Sequence, residues 1–221
     1  MLLRRCIKTA GQRNILALLG IWLVASACSS SGPARPADAR LPQGETAAAE
    51  SAVAGISPAA QTLFEQAAAV MAAGDLLDAE LRFKEFLLQY PGVAAAHVNI
   101  AIIHANNGND DAARASIDQA LAADPNFAPA LNQLGMLLRR NGKFIEAEAA
   151  YLKAVTVSPE YALAHYNLGV LNELYLQRLD IALQHFEHYQ ELVGGDEQVE
   201  KWIADLERRV TANQRTANVA E

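Results

Sequence analysis

Aromatic side chains and cysteine are scarce in this sequence: 6% of its 221 residues are Phe, Tyr or Trp, and two are Cys. Two cysteines exclude a fold built on disulfides. A hydrophobic share of 52%, with 8 Pro and 13 Gly, excludes a mainly disordered or collagen-like chain. Basic residues are few and form no stripe, which argues against nucleic acid as a partner. Catalytic signatures are missing too. No HExxH, GxxxxGK or GxSxG run occurs, and there is no zinc-type pair of cysteines, so enzymatic chemistry has no carrier and no cofactor or metal is expected. What remains is rich in Ala, with Leu, Glu and Gln, the composition of close-packed helices rather than sheets. The expectation is an all-α protein.

Acidic residues are absent before Cys28, whereas Arg4, Arg5, Lys8 and Arg13 precede it. An apolar run, Ile15 to Val24, follows these bases, and Ala25-Ser26-Ala27 brings small residues up to Cys28. This is the layout of a secretory signal. As a helix, Ile15 to Ala27 would cover about 20 Å, short of the roughly 30 Å hydrocarbon core of a bilayer. The small residues before the cysteine resemble the lipobox of bacterial lipoproteins, although Ala25 stands where Leu is commoner. The resemblance implies a signal peptide over 1–27, cleavage before Cys28, lipidation of its thiol and acylation of the new amino end. Ser29 in the next position, by the same analogy, implies an outer-membrane lipoprotein facing the periplasm. Removing four of the 18 Lys and Arg leaves 14 against 25 acids, a mature charge of −11.

Residues 29–56, SSSGPARPADARLPQGETAAAESAVAGI, have no sustained apolar period and read as a solvated linker, so that 28–56 forms a lipidated cysteine with its flexible tether. As a coil these 28 residues span roughly 30 Å r.m.s.. Order is expected from Ser57 as N-cap, with Pro58 at the first helical position.

From there the chain repeats. Pro91, Pro125 and Pro159 are spaced by 34 residues, as are Gly74, Gly108 and Gly142, and Ala79, Ala113 and Ala147. Ala67, Ala101, Gly135 and Gly169 form a column of small residues, and Phe83, Ile117 and Tyr151 one of large residues. The small positions let paired helices approach, the large ones fill the gap, Gly turns the chain and Pro ends each unit. These columns resemble the tetratricopeptide repeat. That resemblance implies a right-handed α-solenoid of about four helix hairpins over 57–195. In the fourth hairpin Ala182 and Phe186 arrive one residue late, so an insertion is placed between Tyr175 and Leu179, with an extended helix end in place of the missing Gly. Asp196 to Val210 reads as a capping helix, with Val199, Trp202, Ile203, Leu206 and Val210 on one face, and Thr211 to Glu221 as a frayed tail.

In such an array, function comes from surface. The first-helix face directed away from the small-residue column carries Val98, Ile102, Ala105 and Asn106, then Asn132, Met136, Arg139 and Arg140, then Tyr166, Val170, Glu173 and Leu174. It reads as a groove with an apolar floor of Val98, Ile102, Met136, Tyr166 and Val170 and polar edges, suited to a peptide segment of a partner protein. The paired Arg139 and Arg140 are candidate anchors for a partner's carboxylate. His97, His165 and His104 stand in core columns and read as packing. His185 and His188 lie three apart on a helix without an evident third metal ligand.

The combined expectation is a non-enzymatic scaffold, monomeric apart from its complex, that holds other envelope proteins. Resemblance to repeat lipoproteins of similar plan points to pilus assembly or TonB-type energy transduction. The alternatives are a regulatory subunit recruiting a peptidoglycan enzyme and a self-associating structural protein.

Overall fold

The computed structural model describes residues 56–219, with side chains as far as residue 215. The expected signal segment, Cys28 and almost all of the linker lie outside the described residues. Among those described, helices follow one another without a strand: α1 (Pro58–Ala72), α2 (Leu76–Gln89), α3 (Ala94–Asn106), α4 (Asp110–Ala123), α5 (Ala128–Arg140), α6 (Phe144–Val157), α7 (Ala162–Leu174), α8 (Leu179–Val193) and α9 (Glu197–Val219). Helices α1 to α8 pair as four consecutive hairpins. Each hairpin stacks on the next through its second helix, and α3 touches α5 as α5 touches α7. This is an α-solenoid.

Local chemistry sets the boundaries. The Ser57 hydroxyl accepts from Ala60 N at 3.3 Å ahead of Pro58, and the Asp75 and Asn109 side chains accept from Asp78 N and Ala112 N at 3.1 Å. Three hairpin turns use Gly74, Gly108 and Gly142 at φ of +89°, +72° and +73°, a region that costs other residues steric strain. The fourth turn differs from the expected extended helix end. Helix α7 stops at Leu174, and Gln177 takes φ +56°, while its side-chain amide donates to Glu173 O at 3.0 Å and Leu174 O at 3.3 Å. A carboxamide thus does the capping that glycine's conformational freedom does elsewhere.

Two glycines serve close approach instead. A Cβ built on Gly135 would lie 2.4 Å from Tyr151 Cε1, and one on Gly169 would lie 2.7 Å from Phe186 Cε1. Tyr151 and Phe186 are fully buried, as are Phe83 and Ile117 in their respective hairpins. The core is therefore a chain of clusters, one per interface, rather than one central mass. The first gathers Phe64, Phe83 and Phe86 with Ile100 and Ile103 of the next hairpin.

Helix α9 closes the far end. Asp196 caps it, Oδ1 accepting from Gln198 N at 2.9 Å and Val199 N at 3.1 Å, and Val199, Trp202 and Leu206 are buried against Phe186 and Tyr189. The expected frayed tail after Val210 is instead a continuation of this helix to Val219. The stretch contains no Gly or Pro, and an existing helix elongates without needing an apolar face of its own. No described helix is long and apolar enough to cross a membrane.

Candidate partner-binding groove

First helices touch first helices, so the side chains singled out on them lie on neighbouring helices, from α3 across α5 to α7. The two ends of this expected stripe differ. On α3, Asn106 is exposed, Ile102 is half-buried, and Val98 is buried among Ala94, Ala120 and Ala130. On α7, Tyr166 and Val170 are buried in the cluster that α9 completes. The Tyr166 ring lies 5.3 Å from that of Tyr189 and 6.0 Å from that of Trp202. These two residues belong to the capped end, whereas Ile102 and Met136 are half-buried, each packed against a neighbouring cluster with part of its surface left exposed.

The polar residues of the stripe on α5 and α7 are tied into the fold. Asn132 is fully buried; its Oδ1 accepts from Asn167 Nδ2 at 2.9 Å and its own amide points to Met136 Sδ at 3.7 Å. This amide pair links α5 to α7. The Arg140 guanidinium donates to Ala105 O at 2.8 Å and pairs with Asp110, which also accepts from Asn141 Nδ2 at 2.8 Å. Arg139 is buried, its guanidinium 5.9 Å over the Tyr175 ring and beside the Tyr151 hydroxyl. The two arginines therefore diverge. One bridges to the preceding hairpin and the other sits among tyrosines, so they do not form the paired carboxylate anchor that their adjacency suggests. Glu173, also fully buried, pairs with Arg209 of α9, which reaches Asp205 Oδ2 at 3.4 Å as well.

A cluster that sequence reasoning missed lies between α7 and α8. His165 Nε2 donates to Pro159 O at 3.0 Å, as His97 Nε2 does to Pro91 O at 3.2 Å. A carbonyl can only accept, so the proton of neutral His165 sits on Nε2 and its Nδ1 is bare. His185 Nδ1, 3.2 Å away, donates to it. The His188 ring packs edge-on at 4.3 Å from that of His165. Burial, with the neighbouring rings of His165 and His188 adding to it, pushes His185 down to about 4, and burial lowers His165 as well. The sequence places His185 and His188 on one helix, but only the hairpin brings His165 to them. Among the described residues no three His, Cys, Asp or Glu side chains stand close enough together to hold a metal ion.

Comparison with known proteins agrees with this fold. Residues 64–126 and 117–149 match two models described as tetratricopeptide repeat, and residues 135–174 match a third described as TPR repeat. No curated protein matches the chain in sequence. Among solved structures it is similar to PilF of Pseudomonas aeruginosa, with 23% identity over 74% of this chain and 71% of that one and a TM-score of 0.62. It is also similar to a thermophilic TPR protein of Thermus thermophilus, with 19% identity over 72% and 86% and a TM-score of 0.59. A third likeness is to the first TPR of Spaghetti (RPAP3) bound to an HSP90 peptide, with 20% identity over 53% and 95% and a TM-score of 0.50.

Proposed function

The chain belongs to the tetratricopeptide-repeat proteins, and from that premise we propose that it is a lipid-anchored scaffold of the bacterial envelope, tethered through Cys28 to the outer membrane and facing the periplasm. Repeat proteins of this kind generally serve protein–protein interaction. The observation that carries the binding role is the open end of the groove, where Ile102 and Met136 leave an apolar floor beside exposed Asn106. An HSP90 peptide bound to the RPAP3 repeat supports a peptide segment as the occupant. The cations of the stripe are engaged by Asp110 and by tyrosines, which favours an apolar segment over one read by its carboxylate. The envelope process is pilus assembly or TonB-type energy transduction, a reading that rests on the resemblance in plan to repeat lipoproteins.

Two experiments test the proposal. Crosslinking in membranes followed by pull-down compares wild type with Ile102→Glu plus Asn106→Glu, changes that charge the floor and its edge and spare the buried columns. Partners captured by wild type and lost at least tenfold by the variant establish the groove; equal capture places binding elsewhere. Separately, Cys28→Ala abolishes palmitate labelling if the anchor is real, and unchanged labelling rejects it.

A further inference from the structure

Helix α2 presents an apolar stripe that the fold leaves uncovered. Leu77 is 82% exposed, Leu81 55% and Leu88 85%. With Lys84 between them they fall within about 60° of helix circumference over about 16 Å. The stripe is fullest in the first hairpin. At the equivalent positions α4 carries Asp111, Ala115, Asp118 and Ala122, and α8, one residue late, carries Asp180, Gln184, Glu187 and Glu191. Helix α6 has Ile145 and Leu152 there, separated by the small Ala149 and followed by the polar Thr156, so it offers two large apolar side chains where α2 offers three.

We infer that this stripe rests on the phospholipid surface, the three leucines entering the headgroup boundary and Lys84 lying among them. The inference rests on the tether proposed above. Three features favour a bilayer over a protein. The contact is small, well short of the about 20–30 residues that each side of a stable protein interface contributes. Its centre is a lysine, a residue depleted from interface cores. A lysine stem lies along hydrocarbon while its ammonium, here 2.5 Å from Glu80 Oε1, stays at the polar level. The third feature is position. The chain before Pro58 leads through residues 29–56 to Cys28, so the first hairpin is the one nearest the anchor along the chain. The anchor proposed at Cys28 keeps this hairpin at high local concentration beside the membrane, where a weak contact suffices. The acidic equivalents on α4 and α8 keep those hairpins off the surface, and α6 stands two repeats further along the chain from the tether.

The test supplies the tether chemically, so it does not depend on whether cells lipidate Cys28. The chain from Cys28 onward, which keeps every described residue, is coupled through that thiol to maleimide-bearing phosphatidylcholine vesicles containing brominated acyl chains. Leu88→Trp reports contact, Ala122→Trp is the control one repeat on, and wild type gives the Trp202 background. Quenching of the Leu88→Trp signal by at least twofold, with the Ala122→Trp signal unchanged and the effect abolished by adding Leu77→Glu and Leu81→Glu, is the expected result. Equal quenching at both sites, or none at residue 88, overturns the proposal. A blue shift of Leu88→Trp emission that grows with protein concentration before vesicles are added also overturns it, assigning the stripe to a second copy. Failure of palmitate labelling in cells would remove the natural anchor and leave this outcome unaffected.

Discussion

Gly135 sets two effects of opposite sign against each other. Alanine in its place would gain up to about 1 kcal/mol of helix propensity. Its Cβ would also sit 2.4 Å from a ring carbon of Tyr151, which is fully buried and flanked by Leu168 and Leu171. Overpacking of a tight core costs about 1–3 kcal/mol, so Gly135→Ala should lower the unfolding free energy by up to about 2 kcal/mol net. Urea denaturation measures this, and an unchanged or raised midpoint would show that the ring can move aside. Ala67 and Ala101 fill the same column opposite Phe83 and Ile117, so a methyl group is accommodated there. The column was readable from its period of 34 residues, because small size repeats wherever two helices cross at the same point. The destinations of Arg139 and Arg140 were not. Both depend on residues from other helices or turns, Tyr151 and Tyr175 for one and Asp110 for the other, and no spacing within α5 encodes them.

Individual helices show the same division between local and distant causes. Ser57 and Asp196 were legible as caps because a capping oxygen reaches only two or three residues along its own chain. The Gln177 turn and the length of α9 were not, since both replace an expected signal with a different solution to the same backbone requirement. Asp196 has a second role, accepting from the Tyr189 hydroxyl at 3.2 Å and so joining the cap of α9 to α8. Asp196→Ala should therefore cost about 1–2 kcal/mol and should speed amide exchange from Gln198 through Leu206 while leaving α1 to α4 unchanged. Hydrogen exchange read by mass spectrometry gives both answers at once, and acceleration spread evenly over the chain would contradict the localised role. The groove shows a similar mixture. Ile102, Met136 and Asn106 keep exposed surface, but Val98 and Asn132 are buried between helices, and Tyr166 and Val170 go to the capped end because α9 contributes Trp202 and Leu206 to their surroundings.

For the molecule as a whole, acid should act through the fourth hairpin. His185 titrates near 4 in the folded state against 6.5 for its ordinary value. Folding thus excludes a proton that the unfolded chain binds. The associated stability is complete above pH 6.5 and is lost as pH falls from there toward 4. The neighbouring groups are His165 and His188, the latter 3.3 Å from Glu191. Between pH 7.5 and 5 the cluster should cost of order 1 kcal/mol, after allowance for solvent screening of a partly exposed ring. His185→Gln should remove most of that difference in a paired urea titration. Parallel pH profiles for variant and wild type would mean that His185 does not carry the acid sensitivity.

The stacking order also bears on how the chain reaches this form. Each hairpin rests on the one before it and on the one after, so no described helix must wait for a distant segment to appear. A chain emerging amino end first from a ribosome or an export channel can therefore close α1 on α2 while α7 is still inside. Only the last arrival, α9, seals an edge that every earlier stage leaves open.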